Sequence, residues 1–319
     1  MTNIYRPEGM ISATPKNREY LYGGRMMLEK AMLDGAILES TALLCDGDMN
    51  LHIDLHGITG IMPREEVVYC REGEDIKDIA IITRVGKPIC FKILSIEESC
   101  GRTVAYLSRR QAQIECMNNY ISDLIPGDII SSRVTHLEGF GAFVDIGCGI
   151  IALLTVDCIS VSRFSHPRDR LYPGMMINTV IKNIDEDKGR IFVSMRELLG
   201  TWEENAARFS QGQTVAGIIR SVESYGVFVE LAPNLAGLAE LREDMPELYN
   251  KDSCGRLAAV YIKSIIPERM KIKLVLIDSY KGDQSTPRLE YFVDCEKVQH
   301  IDRWQYSPNE SKRLIETIF

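Results

Sequence analysis

One nine-residue pattern occurs twice in the chain and restricts the fold more than any other feature. It reads GFGAFVDIG at 139–147 and SYGVFVELA at 224–232. In an extended strand, successive side chains point to opposite faces. Ala142, Val144 and Ile146 therefore share one face, and Phe143 and Asp145 the other. In the second copy Val227, Val229 and Leu231 alternate with Phe228 and Glu230. The aliphatic set predicts the buried face, and the carboxylates mark the other as the wet one. Each copy thus sets a phenylalanine, Phe143 or Phe228, on a face expected to meet water. A second aromatic, Phe140 or Tyr225, stands three residues earlier.

The flanks repeat as well. PGDIISSRV (126–134) precedes the first copy and QGQTVAGIIRSV (211–222) the second; GIIALLTV (149–156) and NLAGLAEL (234–241) follow them. Each then closes on a pair of strands, MINTVIKNIDEDKGRIFVSMR (176–196) and LAAVYIKSIIPERMKIKLVLID (257–278). An apolar strand, a turn of charged residues and a second alternating strand is the pattern of a hairpin. A degraded third copy lies upstream: NLHIDLHGITGIMPREEV (50–67) matches the centre of the unit and GKPICFKILSIEESCGRTVAYLSRR (86–110) its end. Ser108 and Ser194 hold equivalent places in it.

An odd-stranded antiparallel sheet of this size exposes its edges unless it closes, and a small Greek-key barrel closes it. The predicted fold is all-β dominated: three tandem five-stranded OB-fold barrels with helical linkers. The divisions are an N-terminal helical segment (1–33), a diverged barrel (34–110), a helical linker (111–125), a barrel (126–196), a helical linker (197–210), a barrel (211–278) and a C-terminal extension (279–319). Leu198, Leu199, Trp202, Ala206 and Phe209 form an apolar stripe that seats the second linker. RMMLEKAM (25–32) reads as a local cap or an anchoring helix, Trp304 and Tyr306 as tail-docking core residues, and Ser307 with Pro308 as a helix start.

Composition narrows the function. Of 319 residues, 45% are hydrophobic and 26% charged, with a net charge of −8, so no large basic surface is expected. No apolar run is long enough for a membrane helix, and the N-terminus lacks a signal-type apolar core. Nine cysteines without a CxxC pair predict free thiols and a cytoplasmic setting. His52, His56, His136, His166 and His300 have no ligand spacing, so no metal or cofactor is expected. No nucleophile elbow, Walker loop or HExxH suggests an enzyme, and Asp185, Glu186 and Asp187 read as a solvated turn.

An exposed ring is a platform for the apolar face of any base, worth about 1–3 kcal/mol of stacking. Nearby cations can hold the phosphates. The second unit offers Arg163, Arg168, Arg170, Lys182 and Arg190; the third offers Arg220, Lys263, Arg269, Lys271 and Lys273. The alternatives are that Phe143 and Phe228 are covered by a linker or a neighbouring barrel, that Phe140 and Tyr225 pack at a rim, and that the arginine loop is merely solvated.

The string GFGAFVDIG…GI.ALL…PGM…ID.DKGRI.VS.R resembles the S-one RNA-binding domain, the repeated module of the bacterial ribosomal protein S-one family. The resemblance is close over 126–200, clear over 211–278 and weak over 34–110. That order is similar to the short homologues of Gram-positive bacteria. It implies that the FGAF aromatics contact single-stranded RNA, joined by a His in the third strand, an Asp before the final turn and an Arg after it. Carried over, these are Phe140, Phe143, Asp185 and Arg190, with Thr155 at the His position. In the third unit they are Tyr225, Phe228 and Lys271, with Glu240 at the His position and Pro267 at the Asp position. In the first, His52 replaces Phe143 and nothing aromatic matches Phe140, so weak RNA binding is expected there, and its acidic excess suits a protein partner. The expected partners are single-stranded RNA and the small ribosomal subunit, with no membrane. A protein–protein adaptor or an accessory to RNA decay is the alternative.

Overall fold

The structure is a computed structural model that describes residues 4–70, 73, 75–99, 101–185, 188–240, 253–281 and 289–319. Its strands form three closed five-stranded barrels. The first contains β1 (Leu38–Cys45), β2 (Leu51–Asp54), β3 (Thr59–Met62), β4 (Pro88–Ser99) and β5 (Arg102–Ser108), in the order β1-β2-β3-β5-β4. The second contains β6 (Ile129–Glu138), β7 (Gly141–Gly147), β8 (Ile150–Thr155), β9 (Met176–Asp185) and β10 (Arg190–Ser194), in the order β10-β8-β7-β6-β9. The third contains β11 (Thr214–Glu223), β12 (Gly226–Ala232), β13 (Leu235–Ala239), β14 (Leu257–Ile266) and β15 (Lys271–Tyr280), in the order β11-β12-β13-β15-β14. A ring of five strands cannot alternate direction throughout, so one neighbouring pair must run parallel. In each barrel it is the third strand against the fifth: β3–β5, β8–β10 and β13–β15.

The chain divides into two compact units. The first comprises 1–124, 131–133 and 145–151; the second comprises 125–130, 134–144 and 152–319. In the first unit, α1 (Pro15–Tyr22) starts on a Thr14 cap with Pro at its first position. It and α2 (Gly24–Leu33) add Tyr20, Leu21, Leu28 and Ala31 to the first barrel's core of Leu38, Leu51, Ile53, Ile89, Phe91 and Leu107. RMMLEKAM is therefore a cap on that barrel. The short α3 (Asp78–Ile82) contributes Ile81 to the same core, and α4 (Arg109–Asn119) begins on Ser108, whose hydroxyl accepts from the Gln111 N–H.

In the second unit, a short α5 (Val156–Ile159) follows β8. The linker expected as one helix over 197–210 is broken in two: a 3-10 turn at Arg196–Leu199, then α6 (Trp202–Ala206). Gly200 separates them at φ +84°, and a Cβ there would lie 2.6 Å from the Phe292 ring. The apolar stripe is buried as its spacing predicts, except that Phe209 is only half-buried. Trp202, Ala206, Trp304 and Tyr306 join Val227, Val229, Ile262 and Leu274 in the third barrel's core, so the tail docks there. No helix starts at Ser307. Its hydroxyl accepts from the Ile315 N–H instead, closing the loop of a hairpin, β16 (Arg303–Gln305) and β17 (Glu316–Ile318). The alternation of the opening pattern holds at Ala142, Val144, Ile146, Val227 and Val229, all fully buried. It slips at Leu231, where a bulge between Glu230 and Ala232 turns Ala232 inward and leaves Leu231 half-buried.

Candidate nucleic-acid interface

Each aromatic pair sits where a turn feeds the second strand of its barrel. Phe140 precedes β7 and is 55% exposed, while Phe143 is half-buried on the strand's outer face. Their ring centroids are 6.0 Å apart at 89°. Tyr225, 61% exposed, and the half-buried Phe228 repeat this at 6.2 Å and 90°. An edge-to-face contact is worth about 0.5–1.5 kcal/mol. It fixes the outer ring against the inner one and leaves ring surface open. Glycine permits the arrangement. A Cβ on Gly141 would stand 2.4 Å from the Leu154 carbonyl, and one on Gly226 would stand 2.7 Å from that of Ala239.

Thr155 is half-buried at the end of β8. Beside it, burial opposes ionisation of Asp157, but a bond from Thr155 and the charge of Lys182 hold that carboxyl below its usual range. Asp185, at the end of β9, pairs across the hairpin with the exposed Arg190 and accepts from the Lys188 N–H at 3.0 Å. Arg168 is exposed, with its Nε 3.2 Å from His166 Nδ1. Lys263 is exposed and 4.0 Å from Glu240. Lys271 is exposed at the start of β15, after the 3-10 turn that Pro267 opens.

Two expectations are corrected. The carboxylates do not mark a wet face. Asp145 is 1% exposed and accepts N–H bonds from Glu8, Gly147 and Gly149 at 2.7, 2.8 and 3.0 Å. Glu230 is 5% exposed and takes a two-pronged grip from Arg170 at 2.8 and 2.7 Å. Arg170 and Arg220 are accordingly not phosphate ligands. Arg170 is 2% exposed, with the Phe164 ring 4.8 Å from its guanidinium. Arg220 binds Glu230 at 2.8 Å and lies 3.5 Å from Asp169. Burial opposes ionisation of Glu230, but the two guanidiniums overcome it and hold the carboxyl below its ordinary value.

Reasoning from the sequence missed two side chains on this face. His136, exposed on β6, stacks on Phe143 at 6.4 Å and 23°, with its Nε2 2.7 Å from Glu138. Phe192 stands half-buried on β10 between the buried Ile191 and Val193. The alternation in RIFVS carried the signal for Phe192; nothing local in the sequence marked His136.

Among the described residues, no cluster of His, Cys, Asp and Glu could hold a metal ion, and no helix is long and apolar enough to cross a membrane. The eight described cysteines are unbridged.

Residues 123–196 match the S1 RNA binding domain family. The chain is 30% identical over 197 residues to small ribosomal subunit protein bS1 of Rhizobium meliloti, covering 60% of this chain and 33% of that protein. It is 30% identical over 198 residues to bS1 of Leuconostoc lactis, covering 60% and 44%. It is 28% identical over 198 residues to a bS1 homolog of Bacillus cereus, covering 60% and 49%. The match thus spans a third to a half of these relatives' length. Residues 123–196 are thus similar to the S1 RNA binding domain, and 60% of the chain is similar to part of small ribosomal subunit protein bS1 from several bacteria, Leuconostoc lactis and Bacillus cereus among them.

Proposed function

We propose that this protein binds single-stranded RNA on the outer faces of its second and third barrels. Its setting is translation, beside the small ribosomal subunit in the cytoplasm, and its role is to bind and not to catalyse. The observation that carries the reading is the doubled aromatic pair. Two barrels present an exposed ring braced edge-on by a half-buried one, at 6.0 and 6.2 Å. In this reading Phe140, Phe143, Tyr225 and Phe228 stack on bases, while Arg168, Arg190, Lys263 and Lys271 hold the backbone. Thr155 and Asp185 offer polar contacts at the rim.

Stacking tolerates any base, so the expected ligand is unstructured RNA of no fixed sequence. A single module of this kind binds weakly. Two modules on one chain raise the affinity through effective concentration. The names of the matched relatives support the ribosomal setting. The first barrel has no such aromatic pair: His52, on β2, stands in the place of Phe143, 3.0 Å from Asp46. It suits a protein partner, and the divisions at 34–110, 126–196 and 211–278 are the functional modules.

The test is titration of unstructured oligonucleotides against the full chain and its Phe143→Ala and Phe228→Ala variants. Each substitution should weaken binding by about 1–3 kcal/mol, with little dependence on base. Unchanged affinity in both would leave the adaptor reading in its place. Co-sedimentation with ribosomal subunits, before and after nuclease treatment, separates attachment through RNA from attachment through protein.

A further inference from the structure

We infer that the RNA site of the second barrel extends across the sheet to Phe192, a further base platform, and that the third barrel puts a backbone-binding cation, Lys273, in the same slot. This rests on the RNA-binding reading above and adds a division of labour between the two faces.

The register of the third barrel makes the slot explicit. Ser221 pairs with Phe228, Phe228 with Leu238, Leu238 with Lys273, and Lys273 with Ser264. These residues form one lane across β11, β12, β13, β15 and β14. Lys273 stands two strands from Phe228, about 10 Å away at ordinary strand spacing.

The second barrel has the same lane. The Val156 N–H donates to the Phe140 carbonyl at 2.9 Å, and Gly141 packs against Leu154 and Thr155. That register sets Phe143 opposite Leu153. Leu153 pairs with Phe192, and Phe192 with Asn183. Phe192 therefore occupies the place of Lys273. Its strand neighbours Ile191 and Val193 point into the core, so its ring lies on the outer side with Phe143.

The position two residues earlier on the same strand and face completes the contrast. It is Arg190 in the second barrel and Lys271 in the third, both exposed. Across the two slots the second barrel offers one cation and one ring, and the third offers two exposed lysines, Lys271 and Lys273. A ring holds a base by stacking, which salt barely touches. A lysine holds a phosphate by displacing counterions, which makes binding fall with salt. The second barrel grips bases and keeps its hold as ionic strength rises. The third grips backbone and releases first.

The test uses the full chain carrying Tyr225→Ala, Phe228→Ala, Lys271→Ala and Lys273→Ala, which remove the rings and the lysines of the third barrel's face, so that the second barrel is read against a uridine oligomer over a salt series. Adding Phe192→Ala should weaken binding about 5- to 150-fold and leave the salt slope unchanged. Phe192→Trp should retain the affinity. Phe192→Lys, which installs the third barrel's side chain type, should steepen the slope of log K on log salt by about 0.7. Thermal melting checks that each variant is folded. If Phe192→Ala and Phe192→Lys both match the parent in affinity and slope while Phe143→Ala loses binding, the extension is wrong and the RNA reading stands. If Phe143→Ala is also without effect, the RNA reading itself has failed.

Discussion

Glu230→Gln removes the charge at the centre of a buried ionic cluster in the second unit. The carboxylate receives bonds from Arg170 at 2.8 and 2.7 Å and from Arg220 at 2.8 and 3.3 Å. Glutamine keeps the shape but leaves two buried guanidiniums with one remaining acid, Asp169, 3.5 Å from Arg220. Stranding one partner of a buried pair costs about 3–5 kcal/mol, and solvent can relieve little of it with Arg170 2% exposed. The same cluster ties loop and barrel together: Arg170 follows the Pro167–Asp169 turn of the second barrel, and Glu230 belongs to β12 of the third. The assay is built into the chain. Its two tryptophans, Trp202 and Trp304, both lie in the third barrel's core, so their fluorescence follows unfolding of that barrel. In guanidinium titrations Glu230→Gln should lower the stability read by this signal by about 3–5 kcal/mol, and adding Arg170→Met should recover part of the loss by removing the stranded charge. A loss below about 1 kcal/mol would mean that the cluster is solvated. Arg170 would then return to the list of phosphate ligands.

The carboxyl of Glu230 is held below its ordinary value of 4.5, so the stability it contributes is fully present above that pH. It is lost as pH falls through the lowered value; the difference in tryptophan-detected midpoint between the parent and Glu230→Gln should be constant above about pH 5 and shrink below it. Val144→Ala deletes fully buried methyl groups from the inner face of β7, directly beside Phe143; it should cost about 1–3 kcal/mol in thermal unfolding and leave RNA affinity intact in the folded fraction. Arg190→Ala should flatten the slope of log K on log salt by about 0.7, the amount due to one phosphate contact on a single strand.

The barrels were legible because a closed sheet must bury one face of every strand, and period-two alternation records that face directly. Val144 and Val229 announce it, and the repeat fixes the phase. What alternation does not record is whether the other face is covered. Asp145 and Glu230 stand on the outer side, as their phase requires, yet both are buried by chain far away in sequence, from Glu8 in one case and from Arg170 in the other. The same non-local cover turned Arg170 and Arg220 from apparent phosphate ligands into structural ions. Phe140 and Tyr225 escaped it because they sit on turns, where little packs over them. His136 was invisible for the opposite reason: its contact with Phe143 spans two strands, and only the register of β6 against β7 brings the rings together. The broken second linker was readable at Gly200 alone, since a left-handed φ there ends the helix that the apolar stripe suggests.

The central claim is where RNA lies on this protein, and ultraviolet cross-linking of an unstructured RNA to the full chain, with the attached peptides identified by mass spectrometry, measures that directly. Cross-links are expected at Phe140, Phe143, Tyr225 and Phe228, with Phe192 joining them, and none concentrated on the first barrel. Cross-links confined to the first barrel, or to surfaces away from both aromatic pairs, would contradict it.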